Sequence, residues 1–129
     1  MAQTAHSTVS AETLRQTCLR YLAAVSSSDP GSAADLFAVD GSLEDPVGQP
    51  AYRGRERIRE FFARNAADVR LRLAGPLIVC GLEAAMTLEA DVVYEGTNSR
   101  VDIIDVVEFD AAGAIKRVRA FVVPVFKAT

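Results

Sequence analysis

One histidine, two cysteines and no tryptophan occur in the 129 residues of this chain. The histidine, His6, lies in the polar opening Met-Ala-Gln-Thr-Ala-His-Ser-Thr, ahead of the first patterned segment. A Ser-His-Asp or Cys-His mechanism is therefore disfavoured, as is a His-based zinc site. Cys18 and Cys80 form no Cys-x-x-Cys pair and read as buried free thiols of a cytoplasmic protein. Positive charge is also short, with 14 Lys and Arg against 17 Asp and Glu, so the surface does not suit the neutralisation of nucleic-acid phosphates. No apolar run approaches the roughly 20 residues that cross a membrane. The opening segment lacks the basic start and apolar centre of a signal peptide, and residues 1–9 are expected to be a flexible tail. If the chain is an enzyme, carboxylates and phenols must carry its proton chemistry.

Half of the residues are apolar and 24% are charged, which fits one globular domain over residues 10–129. Ser10 is a plausible helix cap with Glu12 in the first turn, and Leu14, Cys18, Tyr21, Leu22 and Val25 recur at helical spacing. A second, short helix is expected from Ser32 to Phe37. A third is expected from Arg55 to Asn65, with Ile58, Phe61 and Phe62 inward and Arg55, Arg59 and Arg64 on a solvated face. Between them, Asp40-Gly41 reads as a turn into a short strand, Ser42 to Pro46. Pro46 places that strand at a sheet edge or at its own end. From Arg70 onward the chain alternates in strand fashion, with turns at Gly96-Thr97-Asn98 and Asp110-Ala111-Ala112-Gly113 and a last strand over Ile115–Phe126. Helices first and hairpin-linked strands afterwards make an α+β plan, with the helices packed on one face of a curved sheet.

One strand breaks its own pattern. In Val101-Asp-Ile-Ile-Asp-Val-Val-Glu-Phe109, alternation puts Val101, Ile103, Val107 and Phe109 on one face with Asp105 among them. A carboxyl in an apolar row takes up a proton or finds a partner, because its charged form is costly there. Taken singly, the other candidates have ordinary explanations. Tyr21 reads equally as a core tyrosine, Asp45 as a turn residue before a proline, and Asp105 as a structural buried acid.

Their joint spacing is more informative. Arg20-Tyr21, the segment Leu43-Glu-Asp-Pro-Val-Gly-Gln-Pro50, Gly54-Arg55-Glu56 with Ile58, and Val101-Asp-Ile-Ile-Asp-Val106 resemble the ketosteroid isomerases. These belong to the nuclear transport factor 2-like, or SnoaL-like, fold families, and the likeness spans about residues 12–122. It implies a cone-like, mixed sheet against three helices, and a homodimer formed through the sheet's outer face, where Ile104 and Val106 are apolar. It implies that Asp45 is a general base and that Tyr21 and Asp105 donate to an oxyanion. A carboxylic acid kept neutral so that it can donate is a known feature of that family. The candidate pocket lining is Phe37, Phe62, Met86, Leu88, Val118 and Val122, although spacing alone fits Met86 and the phenylalanines to core as well. Phe37 and Phe62 stand where some relatives carry tyrosines that extend the hydrogen-bond network, and Val122 stands where a bulky aromatic is common.

The implied activity is a cofactor-independent steroid Δ-isomerase acting on a small hydrophobic ketone. The alternatives are a polyketide cyclase or small epoxide hydrolase on the same scaffold, and a non-catalytic binder of steroids or similar hydrophobic ligands. An epoxide hydrolase is expected to hold an arginine in phase with Asp105, which the strand pattern does not offer.

Overall fold

A computed structural model describes residues 9–65 and 68–123. Helix α1, Ala11–Ser26, starts where Ser10 accepts a hydrogen bond from the Thr13 amide. Its buried stripe is Leu14, Thr17, Cys18, Tyr21, Leu22 and Ala24, while Val25 is half-buried. Val9, expected in the tail, packs against the core instead. Helix α2, Pro30–Asp35, starts two residues earlier than expected, because Asp29 caps it by accepting from the Ser32 amide and Pro30 opens its first turn. Helix α3, Arg55–Asn65, buries Ile58 and Phe62. Arg55, assigned to a solvated face, is part-buried and donates to the Phe37 carbonyl from Nε at 3.1 Å and Nη2 at 2.6 Å.

The strands are β1 (Phe37–Glu44), β2 (Tyr52–Arg53), β3 (Val69–Cys80), β4 (Glu83–Tyr94), β5 (Thr97–Phe109) and β6 (Ile115–Val122). They form one sheet in the order β2-β1-β6-β5-β4-β3, antiparallel except for the parallel β1–β6 pair. Two expectations are corrected here. Phe37 begins β1 rather than ending α2, and Asp40-Gly41 lies within β1 rather than in a turn before it. The register between β1 and β6 shifts between Phe37 and Ser42. At Gly41 a Cβ would stand 3.0 Å from the Ala38 carbonyl oxygen and 3.1 Å from that of Ile115, so the irregularity needs glycine. Pro46 lies just past the strand end, and β1 is interior, flanked by β2 and β6. The last strand ends at Val122, one residue before the described region does, whereas a strand to Phe126 was expected; residues 124–126 and His6 fall outside the described residues.

The helices cover one face of the sheet, and the core lies between the layers around Phe37, Leu14, Leu43, Ile58 and Met86. The expected alternation of β5 is present, with Val101, Asp105, Val107 and Phe109 buried and Asp102 and Ile104 exposed. On the other face of the sheet, Thr87, Ile104 and Phe121 stand side by side in register across β4, β5 and β6. Ile104 is 47% exposed and Phe121 is 41% exposed. Cys18 is buried, whereas Cys80, expected to be buried, is exposed. Among the described residues, no helix is long and apolar enough to cross a membrane.

Candidate active site

Between the α1–α3 layer and the sheet lies a cavity of about 550 Å³, within the roughly 300–1,000 Å³ range of small-molecule sites. Tyr21, Asp45 and Asp105 all line it. Each arrives from a different element. Tyr21 stands on the buried stripe of α1, Asp45 follows the end of β1, and Asp105 is in the middle of β5. Val25, Phe62, Leu71, Val101, Ile103 and Val122 give the cavity apolar walls.

Asp105 is 3% exposed. In the sheet it pairs with Met86 on one side and Ala120 on the other, and the small Ala120 side chain also lines the cavity. Among the described residues, its carboxyl has no hydrogen-bonding partner. Burial, and secondarily the nearby Asp45 carboxylate, raise its pKa from the ordinary 3.8 to about 8. Asp105 thus holds a proton at neutral pH. Tyr21 is also 3% exposed, with its ring edge-on to Phe37 and Phe62 at centroid distances of 6.1 and 5.9 Å. Burial, followed by the charges of Asp105 and Asp45, pushes its phenol well above the usual range, so it too keeps its proton. The two phenylalanine rings place the phenol but have no hydroxyl with which to support it.

Asp45 is half-buried, and loss of water raises its pKa from 3.8 to about 6. It is the most acidic of the three and is mostly ionised at neutral pH. Two contacts fix its loop. The Val47 amide donates to the Ala120 carbonyl at 2.8 Å, directly across the ladder from Asp105. The neighbouring Glu44 accepts from Arg119 Nε at 3.0 Å and from the Gly48 amide at 3.2 Å. The strand pattern gave no sign of this Glu44–Arg119 tie, because it depends on the parallel pairing of β1 with β6.

The six residues expected to line a pocket are placed differently from one another. Phe62 and Val122 line the cavity, whereas Phe37, Met86 and Val118 are fully buried beneath it as core. Leu88 is likewise buried, next to a shallower depression on the other side of the sheet. These four positions belong to the buried core cluster. Sequence reasoning missed the far end of the cavity, where Asp29, Asn65, Asp68, Val69, Val92 and Val93 come from the α1–α2 and α3–β3 junctions and from β4. Their only sequence signal is position near element ends. Among the described residues, no group of three or more His, Cys, Asp or Glu is placed to hold a metal ion.

A curved mixed sheet that encloses an acid-lined apolar cavity beneath three helices defines a class, and the family model for the SnoaL-like domain matches residues 19–118. The chain belongs to that family, within the nuclear transport factor 2-like fold. It is 41% identical over 106 residues to the steroid Δ-isomerase of Nocardioides simplex, covering 81% of this chain and 85% of that protein. Among solved structures, it resembles SalBIII, an epoxide hydrolase/cyclase-like enzyme of pyran ring formation in the polyether salinomycin. The TM-score is 0.78 at 25% identity, over 87% of this chain and 92% of that one.

The protonation of Asp105 has a consequence for stability. Unfolded, its carboxyl ionises near 3.8; folded, it keeps its proton to about 8. Between those values the native state binds more protons, so stability falls as pH rises from about 4 to about 8, by on the order of a few kcal/mol. Asp45 contributes to this decline only up to about 6. Asp105→Asn is therefore expected to be more stable than the parent in urea titrations at pH ~8.5, with the difference shrinking towards pH ~4. A difference that does not change with pH would contradict this.

Proposed function

We propose that the protein is a cofactor-independent steroid Δ-isomerase, which moves a C=C bond of a β,γ-unsaturated 3-ketosteroid into conjugation with the carbonyl. The observation that carries the reading is that Asp45, suited to ionise near neutral pH, and two proton-holding groups, Tyr21 and Asp105, line the same largely apolar cavity. The name of the Nocardioides simplex relative supports the same reaction class.

In this mechanism the Asp45 carboxylate takes the proton from the carbon between the carbonyl and the double bond. The electron pair moves into the π system and charge develops on the ketone oxygen as a dienolate. Asp45, now protonated, returns the same proton to the far end of the conjugated system, so it acts as base and then as acid. No other reactant is consumed. The Tyr21 hydroxyl and the protonated Asp105 carboxyl donate to the oxygen where the charge appears. Donors held in place before the reaction are worth most in a cavity that excludes water. Burial serves both halves of the chemistry: it keeps Asp105 a donor and brings Asp45 close to the pH at which it must exchange a proton.

The likeness to SalBIII favours a cyclase as the second reading, since cyclisation also uses an acid-lined apolar cavity. Among the described residues, no arginine lines the cavity with Asp105, and this counts against an epoxide-opening Asp-Arg-Asp arrangement. A non-catalytic ligand carrier is the third reading, and it differs from the other two in predicting no turnover.

The test follows the absorbance of the conjugated product formed from a β,γ-unsaturated 3-ketosteroid. Conversion above background is expected, and its absence in a folded preparation would sink the isomerase. Asp45→Asn is expected to abolish nearly all turnover while a phenolic steroid still binds. Tyr21→Phe and Asp105→Ala should each cost on the order of 10²–10³ in rate. The pH profile of kcat/KM is expected to be bell-shaped, rising through about 6 as Asp45 ionises and falling through about 8 as Asp105 loses its proton. A flat profile from pH ~5 to ~9 would remove both residues from these roles.

We also propose a homodimer joined through the outer sheet face at Ile104 and Phe121, whose exposed apolar side chains suit a self-complementary contact. Sedimentation should give a dimer that Phe121→Glu converts to monomer. A parent protein that sediments as a monomer at micromolar concentration would overturn it.

A further inference from the structure

The far end of the cavity differs in chemistry from the end that holds Asp105. Along β5, Asp105 and Val101 are four residues apart, a span of roughly 13 Å, and the cavity continues past Val101 to Val92, Val93 and Val69. At that mouth stand Asp29, Asn65 and Asp68. Asn65 donates one of its two amide N–H groups to the Phe61 carbonyl at 2.8 Å, which orients the side chain, and its Oδ1 is an acceptor. The Ser32 hydrogen bonds hold the Asp29 carboxyl below the usual range, so it stays ionised and accepting. Asp68 adds a second carboxylate. Its backbone is tied on both sides, the amide donating to the Asn65 carbonyl and the carbonyl accepting from Val93.

No cation offsets these groups. Four aspartates line the cavity and, among the described residues, no lysine, arginine or histidine does. The arginines nearest the mouth, Arg70 and Arg100, belong to an adjoining shallow cleft that also contains Asp68 and Asp91. There, Arg100 pairs with Asp91 at 3.6 Å and Arg70 donates to the Val69 carbonyl at 3.1 Å. A ligand whose ketone meets Tyr21 and Asp105 thus lays its other end among acceptors and negative charge. An uncharged hydroxyl can donate to these acceptors, whereas a carboxylate or sulfate meets the charges of Asp29 and Asp68 with no cation among the described lining residues and must shed water to enter.

We propose that Asn65, Asp68 and Asp29 are specificity determinants that admit polycyclic ketones ending in a hydroxyl and reject those ending in an anion. The proposal rests on the isomerase reading for the direction in which the ligand lies, and goes beyond it in naming the far-end chemistry. Such a filter separates free hydroxylated ketones from their acidic or sulfated relatives. It implies that any side-chain acid is removed or masked before this step.

The experiment measures calorimetric binding of two conjugated 3-ketosteroids, alike except for a distal hydroxyl in one and a distal carboxylate in the other, at neutral pH and low salt. Each is compared with turnover of the corresponding unconjugated ketone. The hydroxyl ligand is expected to bind at least about tenfold more tightly, the scale set by like charges held a few ångströms apart in a partly screened site. The gap should narrow in ~1 M salt and in Asp68→Asn, and Asp68→Lys should reverse it. Asp29→Asn keeps a side chain able to cap α2 and should also narrow it. Equal binding of the two ligands, or a preference unmoved by Asp68→Asn and Asp68→Lys, overturns the filter and leaves the isomerase standing. A hydroxyl preference without turnover does the reverse. Binding of neither overturns both.

Discussion

A carboxyl that is 3% exposed, set in an apolar strand face with no hydrogen-bonding partner among the described residues, is the constraint around which this molecule is arranged. Its charged form is expensive to bury, so the fold holds it as the acid. Several other features follow from that placement. Ala120 rather than a larger residue stands across the ladder from it, which leaves space over the carboxyl. Tyr21 comes within electrostatic reach from α1, and its phenol is pushed up by the same burial and by the same neighbours. The Asp45 loop is anchored to the Ala120 carbonyl on β6, the strand beside β5, so the group suited to ionise is tied to the neighbour of the strand that carries the group that is not. Even Cys18, one turn before Tyr21, has its thiol raised to about 11, by burial first and by Asp105 second.

These features divide the cavity into a proton-holding end and an accepting mouth. Two aspartates in one apolar space take different states because one lies in mid-strand between packed layers and the other follows a strand end, half in water. The separation, about 6 against about 8, spans neutral pH with Asp45 ionised and Asp105 protonated. Phe37 and Phe62 confine Tyr21 without bonding to it, so the proposed oxyanion site rests on two donors and on the stiffness of their packing.

Much of this was legible in the sequence, for identifiable reasons. The position of Asp105 follows from a period of two, which a strand buried on one face cannot evade. The caps Ser10 and Asp29 announce two helix starts, although only Ser10 was read as one, and α2 was consequently placed two residues late. The start of β1 was illegible because Phe37 ends a helical-looking stretch, while its strand character comes from pairing with Ile115, distant in the chain. The same long-range pairing brings Glu44 to Arg119, and no local pattern could report that tie. Phe37, Met86, Leu88 and Val118 carry the right polarity for a pocket, yet what separates pocket from core is how closely the helices approach, a property of the assembled layers. The mouth was missed for the complementary reason. Asp29, Asn65 and Asp68 look like ordinary turn residues until two junctions, α1–α2 and α3–β3, are brought to one place.

The most direct test is the protonation state of Asp105 itself. Carbon-13 NMR of the aspartate carboxyls, with the Asp105 signal assigned by its loss in Asp105→Asn, reports the titration without relying on turnover. The account predicts a resonance in the protonated position throughout neutral pH, titrating near 8. A carboxyl already ionised at pH ~6, with a midpoint near the ordinary 3.8, would contradict it and leave Tyr21 as the sole donor.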